Sequence, residues 1–249
     1  MTVALRQPVL AVRDLARSLA AWRAVLGTGP GARDPEMAAF GLDHEVLGVG
    51  GETFLELLTP IRADAAVARH LSRLGGDGGY GDGGYMVTLH IRSGDAGGFR
   101  ARTTQLGYKV AWTSSYRGSD IVQFHPREFG TLLQVSHVDA PWHWLASVGE
   151  NTTGTVADAI TAVQIAVPDR RAMAAKWAAM LGIGAAPGAT MLPLDQGTIE
   201  FVRPGSRPGS GPGSGPGSRP GLVGLSVHAV DRARAGDQAE LSGVVVSFV

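Results

Sequence analysis

Two stretches of the chain decide its fold: Leu10-Ala-Val-Arg-Asp14, followed by Trp22 and Leu26-Gly27, and Ile165-Ala-Val-Pro-Asp169, followed by Trp177 and Leu181-Gly182. Every position in the second stretch lies 155 residues after its counterpart in the first. Further along, Phe54-Leu-Glu56-Leu-Leu matches Thr198-Ile-Glu200-Phe-Val. Similarity at a constant offset indicates an internal repeat. We therefore interpret the chain as two homologous halves.

Each stretch has the pattern of a strand followed by a helix. Residues 5–12 are apolar enough for a short buried strand, and Asp14 is a residue type that commonly caps a helix N-terminus. Apolar residues then recur at helical spacing at Leu15, Leu19, Trp22 and Leu26. Gly27 stands where a C-cap glycine belongs. Residues 160–167 and a helix that closes on Gly182 repeat this pattern, so we expect a strand and a helix at the start of each half.

Further elements follow in both halves. The first half continues with strands near 37–47 and 53–59 and a helix around 64–74, and then with a second module: a strand at 86–92, a helix at about 96–106, and strands near 108–113, 120–125 and 130–137. The region after 155 is a shorter copy, and its last module has only the loop 231–241 where a crossover helix is expected. Helices arranged against groups of strands predict an α+β fold of repeated modules.

The modules group into two predicted domains. The first covers residues 1–140, a linker covers 141–157, and a second, shortened domain covers 158–249. Within the second domain, residues 203–221 read RPGSRPGSGPGSGPGSRPG. Proline removes backbone donors, and glycine and serine add no burial, so this stretch cannot form a packed element. It is either an expanded surface loop between two strands, which costs little closure entropy, or a tether for a partner.

Composition narrows the classes of function. The 22 Lys and Arg residues balance the 22 Asp and Glu residues, so the chain lacks the basic field that nucleic acids or a polybasic membrane contact require. It has no cysteine, which excludes disulfides, iron–sulfur clusters and thiolate zinc sites and leaves oxygen and imidazole ligands for any metal. No run approaches the roughly 18 apolar residues of a membrane span, and the N-terminus lacks a signal-peptide pattern. The expected location is the cytoplasm.

Four segments follow one another along the first half: Ala11-Val-Arg-Asp-Leu15, Val25-Leu-Gly27, Leu55-Glu-Leu-Leu58 and His125-Pro-Arg-Glu-Phe-Gly-Thr-Leu-Leu-Gln134. Together they resemble the vicinal-oxygen-chelate superfamily, which includes glyoxalases, methylmalonyl-CoA epimerases, extradiol dioxygenases and bleomycin-type resistance proteins. The resemblance is good over residues 5–138 and fainter over 158–249. It implies repeated βαβββ modules that form curved mixed sheets around a central pocket.

The resemblance also implies a site and a chemistry. In this superfamily a divalent metal lies on the concave side of the sheet, held by four side chains from the first and last strands of two modules. The metal chelates two adjacent substrate oxygens and stabilises an oxyanionic intermediate as a Lewis acid. By this resemblance the four positions fall on Gln7, Glu56, Met86 or Thr88, and Gln134. His90 lies two residues beyond Thr88 on the same strand face.

These residues form the candidate site. Glu56 and His90 are the candidate catalytic residues, and Gln7, Thr88 and Gln134 are the candidates for binding substrate. The metal-ligand candidates are Gln7, Glu56, His90 and Gln134, for Zn, Ni, Mn or Fe. The matched positions supply one carboxylate and two amides, an incomplete set for a hard cation, so the alternative is that no metal binds.

Two functions stay open at this point. One is a glyoxalase-like enzyme, an isomerase, lyase or dioxygenase that acts on a small oxygen-rich molecule, with Glu56 or His90 as proton shuttle. The other is a metal-free protein of the same fold that binds an oxygen-rich or aromatic molecule, as resistance proteins do; the neutral Gln7 and Gln134 suit this function. In both cases the expected partner is a small molecule rather than a nucleic acid or a membrane, and the protein is a monomer or a homodimer.

Overall fold

A computed structural model describes residues 2–50, 52–75, 81–91, 93–116, 119–137, 154–205 and 220–249. Residues 141–153 of the predicted linker and 206–219 of the proline- and glycine-rich stretch lie outside the described residues. Within the described ranges, no helix is both long and apolar enough to cross a membrane.

The first half contains two modules. Its elements are β1 (Val3–Ala11), α1 (Leu15–Leu26), a 3-10 helix (Pro35–Phe40), β2 (Leu42–Gly50), β3 (Thr53–Pro60), α2 (Ala66–Gly75), β4 (Gly83–Ile91), a 3-10 helix (Ser93–Asp95), α3 (Ala96–Gln105), β5 (Val110–Tyr116), β6 (Ser119–Phe124), α4 (Pro126–Phe129) and β7 (Leu132–His137).

The second half has shorter modules. Its elements are β8 (Ala157–Ala166), α5 (Arg170–Leu181), β9 (Met191–Pro193), β10 (Thr198–Val202), β11 (Gly221–Ala229), a 3-10 helix (Arg232–Arg234), β12 (Gln238–Leu241) and β13 (Val244–Phe248).

The described strands form two mixed sheets. Seven strands of the first half have the order β2-β3-β1-β4-β7-β6-β5, and six strands of the second half have the order β12-β13-β11-β8-β10-β9. In each module the first strand pairs in parallel with the last: β1 with β3, β4 with β7, β8 with β10, and β11 with β13. The remaining pairs within modules are antiparallel. The predicted α+β fold of repeated strand–helix–strand modules is therefore confirmed.

The helix boundaries at the start of each half follow the sequence signals. The Asp14 carboxylate accepts the N–H of Arg17 at the start of α1, and the Asp169 carboxylate accepts the N–H of Ala172 at the start of α5. Gly27 and Gly182 close the two helices in the left-handed conformation, at φ +70° and +66°. The predicted caps at these positions are confirmed.

Two predicted segments differ from the structure. The strand expected near 37–47 begins only at Leu42, because Pro35 favours a first helical turn, the Asp34 carboxylate caps that turn, and Gly41 ends it in the left-handed region. The loop expected over 231–241 contains a 3-10 turn and the strand β12, which pairs with β13. The capping residues fix the 3-10 helix at Pro35–Phe40, and the pairing with β13 fixes β12. The strand and helix propensities of the two segments do not by themselves predict either element.

The chain divides into two compact units, and neither is contiguous in sequence. We call them the Glu56 unit (Gln7–Tyr85, His143–Thr161, Val223–Val249) and the Thr88 unit (Met1–Arg6, Met86–Trp142, Ala162–Leu222). Each unit combines a module from the first half with one from the second. The sequential domains at 1–140 and 158–249 stay a prediction.

In the Glu56 unit, the indole of Trp22 ties α1 to the last hairpin. Trp22 is fully buried, and its Nε1 donates to Ser242 Oγ at 3.1 Å. Gly27, which ends α1, lies against the segment that leads into β8, since its carbonyl accepts the N–H of Thr155 at 3.1 Å. Residues far apart in sequence therefore complete the packing of this helix.

In the Thr88 unit, Trp177 of α5 has the equivalent role. It is fully buried, and its Nε1 donates to the Phe129 carbonyl at 3.2 Å. The Trp177 ring stands edge-to-face with Phe129 and Phe201, with centroids 6.0 and 5.6 Å away. Phe129 continues the aromatic contacts to Phe124 at 5.2 Å. Such pairs contribute about 0.5–1.5 kcal/mol each beyond area burial.

The two C-cap glycines give a matched test of this packing. A Cβ at Gly27 would lie 2.4 Å from Thr155 Oγ1 and 2.7 Å from the Val156 backbone nitrogen, whereas one at Gly182 would meet the end of the flexible Arg102 side chain at 2.7 Å. Both alanine variants suffer the left-handed penalty of about 1–2 kcal/mol. We expect G27A to lower the free energy of unfolding by about 3 kcal/mol, since a backbone clash adds to that penalty, and G182A by about 1–2 kcal/mol. Urea denaturation of both variants measures the difference, and equal losses would contradict the packing described for Gly27.

Candidate functional site

The candidate residues from the sequence fall into two groups, one in each compact unit. Gln7 on β1 and Glu56 on β3 belong to the Glu56 unit, whereas Thr88 and His90 on β4 and Gln134 on β7 belong to the Thr88 unit. The first group contains a carboxylate and the second contains none, so the two groups differ in the chemistry that they offer.

The strand register places Gln7, His44 and Glu56 on one face of the first sheet. Val9 lies opposite Glu56 in the parallel pair of β1 with β3, and Val46 lies opposite Glu56 in the antiparallel pair of β2 with β3. Side chains two residues apart on a strand point to the same side, so Gln7 shares the face of Val9, and His44 shares the face of Val46. The three polar side chains therefore converge on one patch of the sheet.

Hydrogen bonds connect these side chains into what we call the Glu56 cluster: Gln7, His44, Glu56 and the backbone N–H of Asp34. Gln7 Nε2 donates to Glu56 Oε2 at 2.6 Å, and His44 Nδ1 lies 2.7 Å from Glu56 Oε1. The N–H of Asp34 donates to His44 Nε2 at 2.9 Å. Because Nε2 supplies a lone pair to that bond, the imidazole proton lies on Nδ1 and points to the carboxylate. Glu56 is thus a buried carboxylate held at both oxygens.

Opposing influences act on His44. Burial acts to lower the pKa of His44, whereas the hydrogen bond and negative charge of Glu56 raise it, with smaller contributions from Asp34 and Asp43. The balance leaves the pKa of His44 above the usual histidine value. Isolating the buried Glu56 carboxylate would cost several kcal/mol, so the imidazole and the carboxylate stabilise each other.

Glu45 shows that the opposite face of β2 serves packing. It follows His44 directly and therefore points to the other side of the sheet, where Arg23 of α1 contacts its carboxylate. The Gly31 N–H at 2.8 Å and Arg33 Nε at 3.1 Å complete its partners. Burial acts to raise the pKa of Glu45, but these donors lower it below its usual value. The Glu45 contacts fasten α1 to the sheet, and the Glu56 cluster lies on the face away from α1.

An uncharged group of side chains lies in the Thr88 unit. Thr88 faces Gln134 in the parallel pair of β4 with β7, and Gln123 faces Gln134 in the antiparallel pair of β6 with β7. Gln123 Nε2 donates to Gln134 Oε1 at 2.8 Å, and Gln134 Nε2 donates to Ser136 Oγ at 3.3 Å. We call Thr88, Gln123, Gln134 and Ser136 the Thr88 cluster. It offers amides and hydroxyls on one sheet face.

The hydroxyl of Thr88 has no hydrogen-bond partner among the described residues, although Thr88 is only 1% exposed. An unpaired buried hydroxyl costs about 1–3 kcal/mol, and each such atom in a folded protein requires a physical explanation. The contrast is Thr103 in the same unit, also buried, whose hydroxyl donates to the Arg100 carbonyl at 2.9 Å. The Thr88 oxygen is therefore an unsatisfied hydrogen-bonding group on a polar face.

His90 and Trp112 extend this face. His90 lies two residues after Thr88 on β4, in register with Ser136. Burial, and then the charge of Arg6, lower the pKa of His90 to about 3, so its imidazole is neutral near pH 7. Trp112 lies on the edge strand β5 in register with Gln123, and 39% of it is exposed. The face combines neutral polar groups with an accessible aromatic ring.

The residues at the four predicted metal positions do not fit a divalent cation. In the described part of the chain, no three or more His, Cys, Asp or Glu side chains are grouped so that they could hold a metal ion. Glu56 is the single carboxylate among these positions, and Gln7 directs its amide nitrogen, not its oxygen, to that carboxylate. Hard cations need several free oxygen ligands, and the third position supplies only the thioether of Met86 or the hydroxyl of Thr88. No chemical step is therefore assigned to a metal.

Sequence reasoning assigns no role to His44, Gln123 or Ser136. His44 lies diagonally across from Glu56 only because the β2–β3 pairing shifts by one residue between Gly48 and Gly50, and the sequence carries no clear signal for that shift. Gln123 and Ser136 alternate with buried apolar residues on β6 and β7, which identifies their face but not their partners. Those partners depend on which strands are neighbours in the sheet.

Comparisons with known proteins support the fold without identifying an activity. No protein-family model and no curated protein sequence matches the chain. A hypothetical protein from Staphylococcus aureus has a solved structure similar over 100% of this chain and 99% of its own, with a TM-score of 0.68 and 10% identity. Methylmalonyl-CoA epimerase from Mycobacterium tuberculosis is similar over 54% of this chain and 87% of its own, with a TM-score of 0.45 and 19% identity. At 10% identity, the similarity to the Staphylococcus aureus protein extends to the fold alone.

The neutral state of His90 predicts a dependence of stability on pH. The pKa of His90 is lowered in the folded protein, so only the unfolded chain takes up this proton between pH 6.5 and about 3. Stability from His90 is complete above pH 6.5 and falls as the pH decreases. Relative to H90Q, which does not titrate, the wild type should lose about 1 kcal/mol of unfolding free energy between pH 7 and pH 5, a value that allows for partial solvent screening. Parallel pH profiles of the two proteins in urea denaturation would contradict this assignment.

Proposed function

We propose that this protein binds a small oxygen-rich or aromatic molecule on the polar face of β4, β6 and β7, and that binding requires no divalent metal. The unpaired, buried hydroxyl of Thr88 carries this proposal. A bound ligand that supplies one hydrogen bond at that oxygen would remove the desolvation penalty of the free protein. Sites for small molecules typically combine apolar surface with a few convergent polar groups.

The lining favours a ligand of a particular chemistry. Gln123, Gln134, Ser136 and Thr88 are all neutral, and the lowered pKa of His90 keeps that side chain neutral as well. Such groups bind carbonyl and hydroxyl oxygens, but they provide no opposite charge for a strongly ionic group. Trp112 adds a flat aromatic surface at the edge of the face, which suits a planar ring.

The substitution T88V tests this proposal in two directions. Valine has nearly the same shape but no hydroxyl, so the free protein should become about 1–2 kcal/mol more stable, because an unpaired buried polar atom is removed. The same variant should bind ligand more weakly by about 1 kcal/mol, the contribution of one hydrogen bond. Thermal denaturation with and without a panel of 2-hydroxy acids, 2-oxo acids, catechols and planar aromatic compounds measures both quantities.

The matched control is T103V, which removes a hydroxyl that has a hydrogen-bond partner in the wild type. Removal of the Thr103 hydroxyl leaves the Arg100 carbonyl without that donor, so T103V should be less stable than wild type and should bind the same compounds unchanged. Stabilisation by the panel should persist when the metal chelator EDTA is present. Loss of stability in T88V, or panel binding that requires an added metal, would contradict the proposal.

A second candidate function is favoured by the Glu56 cluster: an isomerase or lyase in which Glu56 accepts a proton from the ligand. The carboxylate is buried and fixed by donors at both oxygens. Each carboxylate oxygen has a second lone pair, so a fixed carboxylate can still accept a proton from a ligand. Positioned general bases typically contribute 10²–10⁴-fold to a rate.

Hydrogen exchange of ligand C–H groups tests the second candidate. The carbonyl compounds of the panel, incubated with the protein in D₂O, should exchange the proton next to the carbonyl, as followed by ¹H NMR. E56Q should slow this exchange by about 100-fold or more but retain thermal stabilisation by the same compound. Exchange that proceeds equally in E56Q would exclude Glu56 as the proton acceptor.

A further inference from the structure

We infer that Met86 is a positioning residue for the Thr88 cluster: its sulfur sets the direction of a chain of hydrogen bonds that ends in hydroxyl donors, so the ligand presents a carbonyl oxygen to them. This inference rests on the proposed function, in which a small molecule binds on this face, and it names the ligand atom that Thr88 and Ser136 receive. Met86 acts through Gln123 and Gln134 and does not touch that atom.

Strand register brings the Met86 sulfur to the Gln123 amide. Met86 lies two residues before Thr88 on β4 and therefore on the same face of the sheet. Thr88, Gln134 and Gln123 are in register on the adjacent strands β4, β7 and β6. The Met86 side chain reaches across β7, because its Sδ lies 3.7 Å from Gln123 Nε2 on the strand beyond. Met86 is buried, so this contact belongs to the packed face of the sheet.

The thioether determines which way the two amides are turned. A thioether sulfur has lone pairs and no proton, so it only accepts hydrogen bonds. The nitrogen and oxygen of an amide are told apart by their partners, and the Gln123 oxygen would gain no hydrogen bond at this sulfur. Gln123 therefore directs its Nε2 to Met86, and the same nitrogen donates to Gln134 Oε1 at 2.8 Å. Gln134 is turned as a result, and its Nε2 donates to Ser136 Oγ at 3.3 Å.

The chain of hydrogen bonds ends in two hydroxyl protons that lack acceptors. Ser136 Oγ accepts from Gln134, which leaves its O–H to donate, and in the part of the chain that the structure describes Gln134 is its one hydrogen-bond partner. The Thr88 hydroxyl has no partner among those residues. Ser136 and Thr88 are 0% and 1% exposed, whereas Gln123 is half-buried. The buried end of this face therefore offers donors, and its accessible side is at β6.

A carbonyl oxygen matches this arrangement because it has two lone pairs and no proton. Thr88 is in register with Gln134, so Thr88 and Ser136 are diagonal neighbours on β4 and β7. Diagonal neighbours lie about 7–8 Å apart at their backbones, which lets one oxygen between the side chains accept from both hydroxyls. An alcohol brings a proton of its own, and the oxygens of Gln134 and Ser136 already accept hydrogen bonds. The face therefore favours a ketone or aldehyde over the alcohol of the same skeleton.

NMR spectroscopy of the full chain without ligand tests the direction of the hydrogen bonds. We expect nuclear Overhauser contacts between the side-chain N–H protons of Gln123 and the methyl group of Met86, since the nitrogen and not the oxygen faces the sulfur. The M86L variant identifies the methyl signal by its disappearance. If the contacts are missing from wild type, Gln123 is turned the other way and the inference is wrong.

Three compounds with one skeleton test the selection of the ligand atom. Acetophenone presents a carbonyl, 1-phenylethanol a hydroxyl and ethylbenzene neither. In NMR titrations we expect wild type to bind acetophenone about tenfold more tightly than 1-phenylethanol, because the alcohol proton lacks an acceptor. M86L conserves volume but lets Gln123 turn either way, so this preference should fall to about threefold or less. S136A, which removes one of the two donors, should lower it similarly, and the control T103V should retain it.

A preference near one in wild type, or an unchanged tenfold preference in M86L, would overturn the inference. If M86L does not fold, S136A decides by the same measure. A role of Met86 in packing alone would weaken the binding of all three compounds together and leave their ratios unchanged. Failure of the proposed function is distinguishable, since wild type would then bind none of the three compounds although the contact of Gln123 with Met86 is seen, and the assignment of the ligand atom would fail with it.

Discussion

The indole N–H groups of Trp22 and Trp177 impose the constraint on which the packing of both compact units depends. Both rings are fully buried, and a buried indole needs a hydrogen-bond acceptor. Each finds it in the other half of the chain, at Ser242 Oγ for Trp22 and at the Phe129 carbonyl for Trp177. The shortened second half is therefore stabilised by contacts with first-half elements.

The first sheet packs against α1 on one side and carries polar groups on the other. In the Glu56 unit, Glu45 points to α1 and forms ion pairs, while the adjacent His44 points away from α1 to Glu56. Strand alternation alone separates the ion pairs of Glu45 with α1 from the hydrogen bonds of the Glu56 cluster. In the Thr88 unit, the corresponding polar side chains are neutral and one hydroxyl is unpaired. The Glu56 carboxylate thus has hydrogen-bond partners within its cluster, whereas the Thr88 hydroxyl has none among the described residues.

Much of the fold could be predicted from the sequence because its signals are local. Asp14 and Gly27 bound α1 through capping and a left-handed turn, and neither depends on distant residues. The site could be predicted only in part. Gln7, Glu56, Thr88, His90 and Gln134 are polar residues on otherwise apolar strands, which is visible in the sequence, but their partners are not. His44 is 12 residues from Glu56, and its role requires the β2–β3 register.

By itself, the sequence determined the α+β class, the absence of cysteine ligands and the strands that carry the polar residues. Periodicity, capping and composition act within a few residues of each position, so they can be evaluated along the chain. Only the tertiary structure decided that Glu56 has His44 and Gln7 as partners and that the Thr88 hydroxyl has none among the described residues. The reason is physical: hydrogen-bond satisfaction in a sheet depends on which strands are neighbours and in what register, and chain order does not encode either directly.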